Sequence, residues 1–295
     1  MGIYIKSYFG IDDLHLGKEA FVSATDQLNE PEYEVLIDIR SMRRLSKVLK
    51  YGMYSSLEVL RQADNINPDG IISGTGLGCT SDTMAFLNNM IQREEHLLTP
   101  TAFIQSTHNT LSGSLGILLK NHGYNMTWSH RDLSFYSALE DGCRRLEAGK
   151  GNNYLIVGAD EMPESVEDII RKIDHCGDRD WSEGAAAFMI GTDAGDSDPE
   201  ISDHGIVVKD KFSYYLNNIN IDDTLIINCN SYIGEIDEKY RKIDLTVIKP
   251  KSFIDDAIGL HLACRILKEE DSKFKNVICI GGSKEQISFV HVKIS

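Results

Sequence analysis

The stretch Asp255–Leu267 (DDAIGLHLACRIL) carries apolar residues on most sides of a helix. A surface helix needs one apolar stripe, whereas a helix that is apolar nearly all round has to be covered from more than one direction. A helix sandwiched between two sheets is therefore the strongest single demand this chain makes on its fold. The flanking sequence supplies the sheets. Short apolar runs read as strands at Gly2–Tyr8, Tyr33–Ile37, Gly70–Ser73, Asn125–Ser129, Asn153–Val157 and Ala186–Ile190. Further strands are expected at Gly205–Val208, Thr224–Asn228, Asp244–Ile248, Val277–Ile280 and Ile287–Val292.

Helical spacing falls between these runs. Ser41 is a candidate cap for a helix reaching Gln62, with Met42, Leu45, Leu49 and Leu57 near one face. Asp82–Arg93, Thr107–Leu119 and Phe135–Leu146 follow the same period. Strands alternating with helices predict an α/β fold with mainly parallel sheets. At ~100–200 residues per domain, 295 residues suggest two units. The polar, Asp-rich stretch Thr192–Asp203 is the candidate linker, so the chain divides as 1–192, a linker over 193–203, and 204–295.

Composition removes several classes of function. With 42% hydrophobic and 25% charged residues the chain is globular. A net charge of −15 argues against nucleic acid as a partner, because phosphate contacts dominate that affinity. No apolar run approaches ~18 residues, so no membrane span is expected. The N-terminus lacks a signal pattern. The six cysteines, at 79, 143, 176, 229, 264 and 279, form no C-x-x-C pair, so no metal site is expected. Reduced thiols in a cytoplasmic protein are the expectation.

Two segments have the shape of functional loops. Gly74-Thr75-Gly76-Leu77-Gly78-Cys79 joins a strand to a helix, but its third glycine falls one residue early for a dinucleotide fingerprint. Glycines permitting a tight turn are the simpler reading. The run Gly123–Ser134 passes from an extended segment into the helix at Phe135, and Asp132 stands at the junction. Helix N-termini favour negative charge, so Asp132 is either an ordinary N-cap or a nucleophile aimed at an oxyanion site. Ser129, His130 and Asp132 are too close in sequence to converge as a triad. His108, His175 beside Cys176, and His204 read as surface or capping residues.

An ordered set of segments resembles the β-ketoacyl synthases of the thiolase superfamily. It runs through Met42-Arg43-Arg44-Leu45-Ser46, the Gly74–Gly78 loop, Pro100-Thr101-Ala102-Phe103 and His108-Asn109. It continues with Gly123–Ser129, Leu146-Glu147-Ala148-Gly149, Leu155–Glu161 and Ser182-Glu183-Gly184-Ala185-Ala186. The match covers residues 40–192 well and the remainder weakly. The resemblance implies a five-layer α-β-α-β-α fold of two related halves, the second shortened. It also implies acyl transfer by a cysteine nucleophile with two histidines that support decarboxylation of a malonyl thioester.

Matched residue by residue, the cysteine position falls on Asp132. The first histidine precedes Asn228-Cys229-Asn230-Ser231-Tyr232-Ile233-Gly234-Glu235 and falls on Ile227. The second lies five residues after a retained lysine, Lys251, and falls on Asp256. The family's paired glycines match Gly281 and Gly282, after Asn276. The catalytic set is thus expected to be absent. Cys143, eleven residues past the elbow, is too far along its helix to replace the nucleophile, whereas Cys79 follows the glycine loop.

Gly76, Gly78, Cys79, Asn109, Ser134, Gly281 and Gly282 are candidates for a substrate cleft. Arg40, Arg43, Arg44 and Lys47 are candidates for docking a carrier protein or partner subunit. The resemblance implies a role like that of the chain length factors, pairing with an active ketosynthase or with a second copy, and meeting acyl carrier protein, with no cofactor. The alternatives are a thiolase-superfamily acyltransferase or hydrolase of altered chemistry, and an unrelated α/β protein with a coincidental motif order.

Overall fold

The computed structural model describes residues 2–25, 27–96, 98, 100–173, 180–229, 239–283 and 286–294. The chain opens with β1 (Ile3–Ile11), β2 (Leu14–Leu16), β3 (Val22–Ala24), α1 (Ile39–Met42), α2 (Lys47–Gln62), β4 (Gly70–Gly74), α3 (Thr80–Gln92) and α4 (Pro100–Gln105). It continues with α5 (Thr110–Leu118), β5 (Tyr124–Trp128), α6 (Ser134–Glu147), β6 (Asn153–Asp160), α7 (Glu164–Ile173) and β7 (Gly184–Gly191). Then come β8 (Glu200–Val207), α8 (Lys209–Leu216), β9 (Thr224–Asn228), β10 (Arg241–Asp244), α9 (Leu245–Ile248), α10 (Asp255–Leu267), β11 (Asn276–Gly282) and β12 (Ile287–Lys293).

Ten strands are hydrogen-bonded in the order β10-β9-β11-β12-β8-β1-β7-β6-β4-β5, and β2 pairs with β3 apart from them. That order is a repeat. β5-β4-β6-β7-β1 in the first half becomes β10-β9-β11-β12-β8 in the second. Directions repeat as well. β4 is parallel to β5 and β6, as β9 is to β10 and β11. β7 and β12 are antiparallel to both of their neighbours. Among the described strands the two halves pair where Ile3 and Tyr4 meet Ile201 and Glu200.

Side-chain alternation then sets the layers. Ile72, Ile156, Phe188, Leu225, Ile227, Val277 and Val290 share one core with the apolar residues of α6 and α10. Their strand neighbours Ile71, Leu155, Val157, Ala187 and Met189 pack instead with α2 and α5. On the other side Ile226, Ile278, Ile280 and Phe289 pack with Phe212 of α8. Period-two strands buried on both faces give the sequence α2/α5, sheet, α6/α10, sheet, α8, a five-layer α-β-α-β-α molecule. The all-round apolar helix is α10, and it is sandwiched as its composition demands. Among the described residues no helix is long and apolar enough to cross a membrane.

Several local expectations are corrected. Tyr33–Val35 is a single 3-10 turn rather than a strand. The helix expected from Ser41 to Gln62 is two helices, and Asp38, not Ser41, caps the first by accepting from the Arg40 and Ser41 amides. The stretch expected as Thr107–Leu119 starts at Thr110, with α4 ahead of it. β8 begins at Glu200, so the last residues of the expected linker 193–203 are strand; pairing with β1 and β12 overrides their polar composition. Asp244–Ile248 is not a strand: Asp244 ends β10 and accepts from the Thr246 amide at 3.0 Å, capping α9.

Candidate functional site

The junction before α6 is a tight elbow. Arg131 has a left-handed φ of +48°, and Arg131–Leu133 form one 3-10 turn. Ser134 staples it: its Oγ accepts from the His130 amide at 2.8 Å and donates to the Arg131 carbonyl at 2.6 Å. Asp132 does not cap α6, since the N-cap position belongs to Leu133. Its carboxylate turns instead toward Lys251, with Oδ1 3.7 Å from Nζ. Lys251 also faces two aromatic rings, its Nζ lying 4.9 Å from the centre of Trp181 and 5.7 Å from that of Phe253. A short parallel bridge between Trp181 and Lys251 fixes that relation.

Asp256 projects from the first turn of α10 and is buried. A Cβ on Gly281 would overlap its carboxylate, so the glycine is required there by close approach. Gly282 follows with a φ of +120°, which only glycine adopts freely. Burial pushes the Asp256 carboxyl well above the usual range, and the Asp132 and Asp255 charges push the same way; Ser288 opposes them. Its Oδ2 has no hydrogen-bond partner. The fold therefore brings Asp132, Lys251, Asp256, Gly281 and Gly282 into one region. Ile227 is elsewhere in kind: it sits mid-strand in β9, paired with Ile243 and Cys279, inside the core between the sheets. Ser231 and the rest of the Asn230–Glu235 match lie outside the described residues, as do His175 and Cys176.

The glycine loop has its own purpose. Asp160, at the end of β6, accepts from the Gly76 and Leu77 amides at 2.7 and 2.9 Å and from Thr75 Oγ1 at 2.7 Å. Gly78 donates to Thr75 Oγ1. Glu161 accepts from the Ser81 and Val48 amides, tying α3 and α2 to the same point. Amides that would cradle a phosphate are taken by a carboxylate of the chain itself, which disposes of the nucleotide reading. The loop is nevertheless next to the site, because a Cβ on Gly76 would strike the Phe253 ring. Gly78 lies against His108, and the following Asn109 is exposed at the start of α5 without capping it through its side chain.

No described cysteine is an activated thiol. Burial, then Asp82 and Glu161, push Cys79 up to about 12. Burial raises Cys143, Cys229, Cys264 and Cys279 as well. A thiolate is the nucleophilic form, and these sites disfavour it. No group of three or more His, Cys, Asp and Glu among the described residues could hold a metal ion.

Two buried polar pairs on α10 and the turn before it went unread in the sequence. Lys249 Nζ lies 2.7 Å from Asp255 Oδ1, and His261 Nδ1 lies 2.8 Å from Asp12 Oδ2, all four residues buried. A histidine inside the apolar α10 was the available signal. His204 is also not a loop residue: it lies on β8, clamped between Glu140 and Glu147 of α6. The basic candidates spread over α1 and the start of α2 rather than one helix. Arg40, Arg43 and Arg44 are exposed, and Lys47 pairs with Glu183.

Residues 19–190, more than half of the chain, match the family described as beta-ketoacyl synthase, N-terminal domain. Sequence comparison with curated proteins gives no match. Among solved structures the chain is similar to one described as a type II polyketide synthase acyl-carrier protein in complex with its ketosynthase bound to the hexaketide, with 13% identity, 99% of each chain covered and a TM-score of 0.79. It is similar to the ishigamide ketosynthase/chain length factor, with 12% identity over 100% of this chain and 99% of that one and a TM-score of 0.75. It also resembles a ketosynthase in complex with its chain length factor from Xenorhabdus doucetiae, with 18% identity over 70% and 84% and a TM-score of 0.54. At these identities the likeness is one of fold.

Proposed function

The chain belongs to the β-ketoacyl synthase family, and we propose that within it the protein is a non-catalytic subunit, chain length factor-like, that pairs with an active ketosynthase and shapes the length of its acyl or polyketide product. The observation that carries this is the elbow: the motif match puts Asp132 at the family's nucleophile position, and Lys251 Nζ lies 3.7 Å from that carboxylate. A carboxylate is a weak acyl acceptor. The same motif match puts the first histidine position on Ile227, a side chain that can neither transfer a proton nor stabilise charge. The solved ketosynthase/chain length factor pairs of the same fold support the partner, and the complex with acyl-carrier protein supports a carrier as a further one. Such a role belongs in the cytoplasm.

Two surfaces suit these partners. β5 is one edge of the ten-stranded sheet, and Met126 and Trp128 on it are each 38% exposed. α5, fixed to it by the Asn125 amide bonded to the Ser112 carbonyl, adds the bare side chain of Ile117. An uncharged open edge is a template for another strand. For the acidic carrier, Arg40, Arg43 and Arg44 offer exposed positive charge on a molecule of net −15, a local field that could focus the encounter.

The test is to incubate the pure protein with a radiolabelled acyl thioester and with malonyl-carrier protein, then co-express it with a ketosynthase. We expect no covalent label, no condensation and a one-to-one complex. Stable label mapping to Asp132 or Cys79 would reverse the proposal. A second reading, an acyltransferase or hydrolase of altered chemistry, is favoured by one feature: Asp256 is a raised carboxyl within electrostatic reach of Asp132. Thioester turnover that vanishes in Asp256→Asn would establish that reading in place of the first.

A further inference from the structure

The outer faces of the two halves are covered differently. In the first half, residues 12–46 connect β1 to α2, and Leu28, Tyr33 and Leu36 from that connection pack onto the outer core. Tyr33 meets Tyr54 of α2 edge-on at 5.6 Å between ring centres, and Tyr54 lies 5.8 Å from Phe9 of β1. In the second half Val208 alone connects β8 to α8. The repeat keeps the strands and the helix but has no strap at this point. What remains is an open apolar groove of ≈ 740 Å³ between α8 and the sheet, lined by Val207, Phe212, Tyr214, Tyr215, Ile219 and Phe289, with Lys211 and Asn218 at its rim.

The groove is built rather than accidental. Its floor is a set of packed rings, Tyr215 and Phe289 at 4.6 Å and Phe212 and Phe289 at 5.4 Å. The Tyr215 hydroxyl lies 2.9 Å from His291 Nδ1, which fixes the ring. Tyr214, in the lining, is 75% exposed. A packed aromatic floor open to solvent is the form of a binding surface.

The covered face shows what fits such a floor. Gln27–Leu36 brings three apolar anchors, Leu28, Tyr33 and Leu36, with Glu30, Glu32 and Glu34 between them. Exposed Lys211 gives the open groove a cation for such an acidic chain to meet. We infer that the groove receives an acidic segment of a partner protein, carrying one aromatic and two aliphatic anchors at the spacing of Leu28, Tyr33 and Leu36. This goes beyond the proposed role as a ketosynthase partner and does not depend on it, since the groove is on the outer face, away from both the elbow and β5.

The probe is a fluorescein-labelled synthetic peptide of residues 27–36, titrated by anisotropy against the full chain, its scrambled counterpart and octanoate serving as competitors. We expect saturable binding that weakens at least tenfold in Tyr214→Asp and in Lys211→Glu, both exposed positions whose thermal melting should match the parent, and that the scrambled peptide does not reproduce. Absence of saturation to millimolar protein would overturn the inference. So would binding indifferent to both substitutions, or displacement by octanoate at equal affinity, which would make the groove an acyl pocket.

Discussion

Gly281 has no side chain because the Asp256 carboxylate occupies the space, and that crowding reflects an unusual charge balance. Around the first turn of α10 two carboxylates have cations, Asp132 with Lys251 and Asp255 with Lys249, and further along the helix the Asp12 carboxylate is hydrogen-bonded to His261. Two others, Asp13 and Asp256, have none of their own; each keeps an oxygen without a hydrogen bond, and burial raises both. An acid whose folded pKa lies above its unfolded value contributes stability that is present below the unfolded pKa and lost as pH rises. Asp256 therefore favours the folded state below about pH 4 and opposes it increasingly above. We expect Asp256→Asn, which keeps shape and removes the ionisation, to stabilise the protein near pH 8. Each unit by which a carboxyl's pKa is raised is worth ~1.4 kcal/mol of penalty above that pH, so a gain of at least that order is expected at pH 8. Urea unfolding at pH 5 and pH 8 checks it: the advantage should shrink at the lower pH, and an advantage equal at both would mean that ionisation is not its source. Much of this site was legible, because Asp132, Lys251, Asp256 and Gly281 could be placed by motif order. The compensating residues were not: Asp12 reaches His261 only through the meeting of the two ends of the chain, and Lys249 reaches Asp255 only because the chain folds back in the turn before α10.

At the scale of elements, α6 and β8 belong to different halves and are joined by a titratable clamp. His204 on β8 lies between Glu140 and Glu147 on α6. Burial alone would depress the imidazole, but the Glu140 contact and both glutamate charges outweigh it, and its pKa rises above 6.5. Burial likewise opposes the Glu140 carboxylate, yet His204 and then Arg144 hold it below 4.5. The histidine's contribution is complete below pH 6.5 and lost as pH rises through its folded pKa; that of Glu140 is complete above pH 4.5 and lost as pH falls through its own. The clamp is therefore strongest in weak acid. We expect His204→Gln to lose ~1–3 kcal/mol at pH 6, the worth of a hydrogen bond to a charged group, and little at pH 9. Denaturation at the two pH values decides it, and equal losses would point to packing instead. α6 was readable from its helical spacing, α10 from being apolar on most sides and β9 from its short apolar run, and the end of β8 was expected as a strand from Gly205; its first residues, Glu200–His204, were hidden in an Asp-rich stretch because their pairing with β1 and β12, not their composition, makes them strand.

Over the whole molecule, the duplicated topology leaves two sheet edges, and they are not alike. β10 carries Arg241 and Lys242 in exposed positions, while β5 reads Tyr-Asn-Met-Thr-Trp with no charge. Charged side chains on an edge discourage pairing with another chain, and their absence invites it. The repeat explains why only one edge was left open: both halves end on the equivalent strand, so an uncharged β10 would have let the molecule extend from both ends into a fibre rather than close into a pair. The partner of β5 should then align antiparallel, adding its own edge strand and covering Met126, Trp128 and Ile117. Because Met126 and Ile117 project to solvent, replacing both with lysine should alter stability by no more than ~0.5 kcal/mol per site. The same change places a like-charged, hydrated pair of side chains in the path of the incoming strand. We expect Met126→Lys with Ile117→Lys to weaken association with a co-expressed ketosynthase at least a hundredfold while the melting temperature of the isolated chain barely moves. Sedimentation of the two purified subunits across a concentration series reads the loss directly. A complex that persists at parental affinity would move the partner surface off β5 altogether and leave the exposed edge without a role.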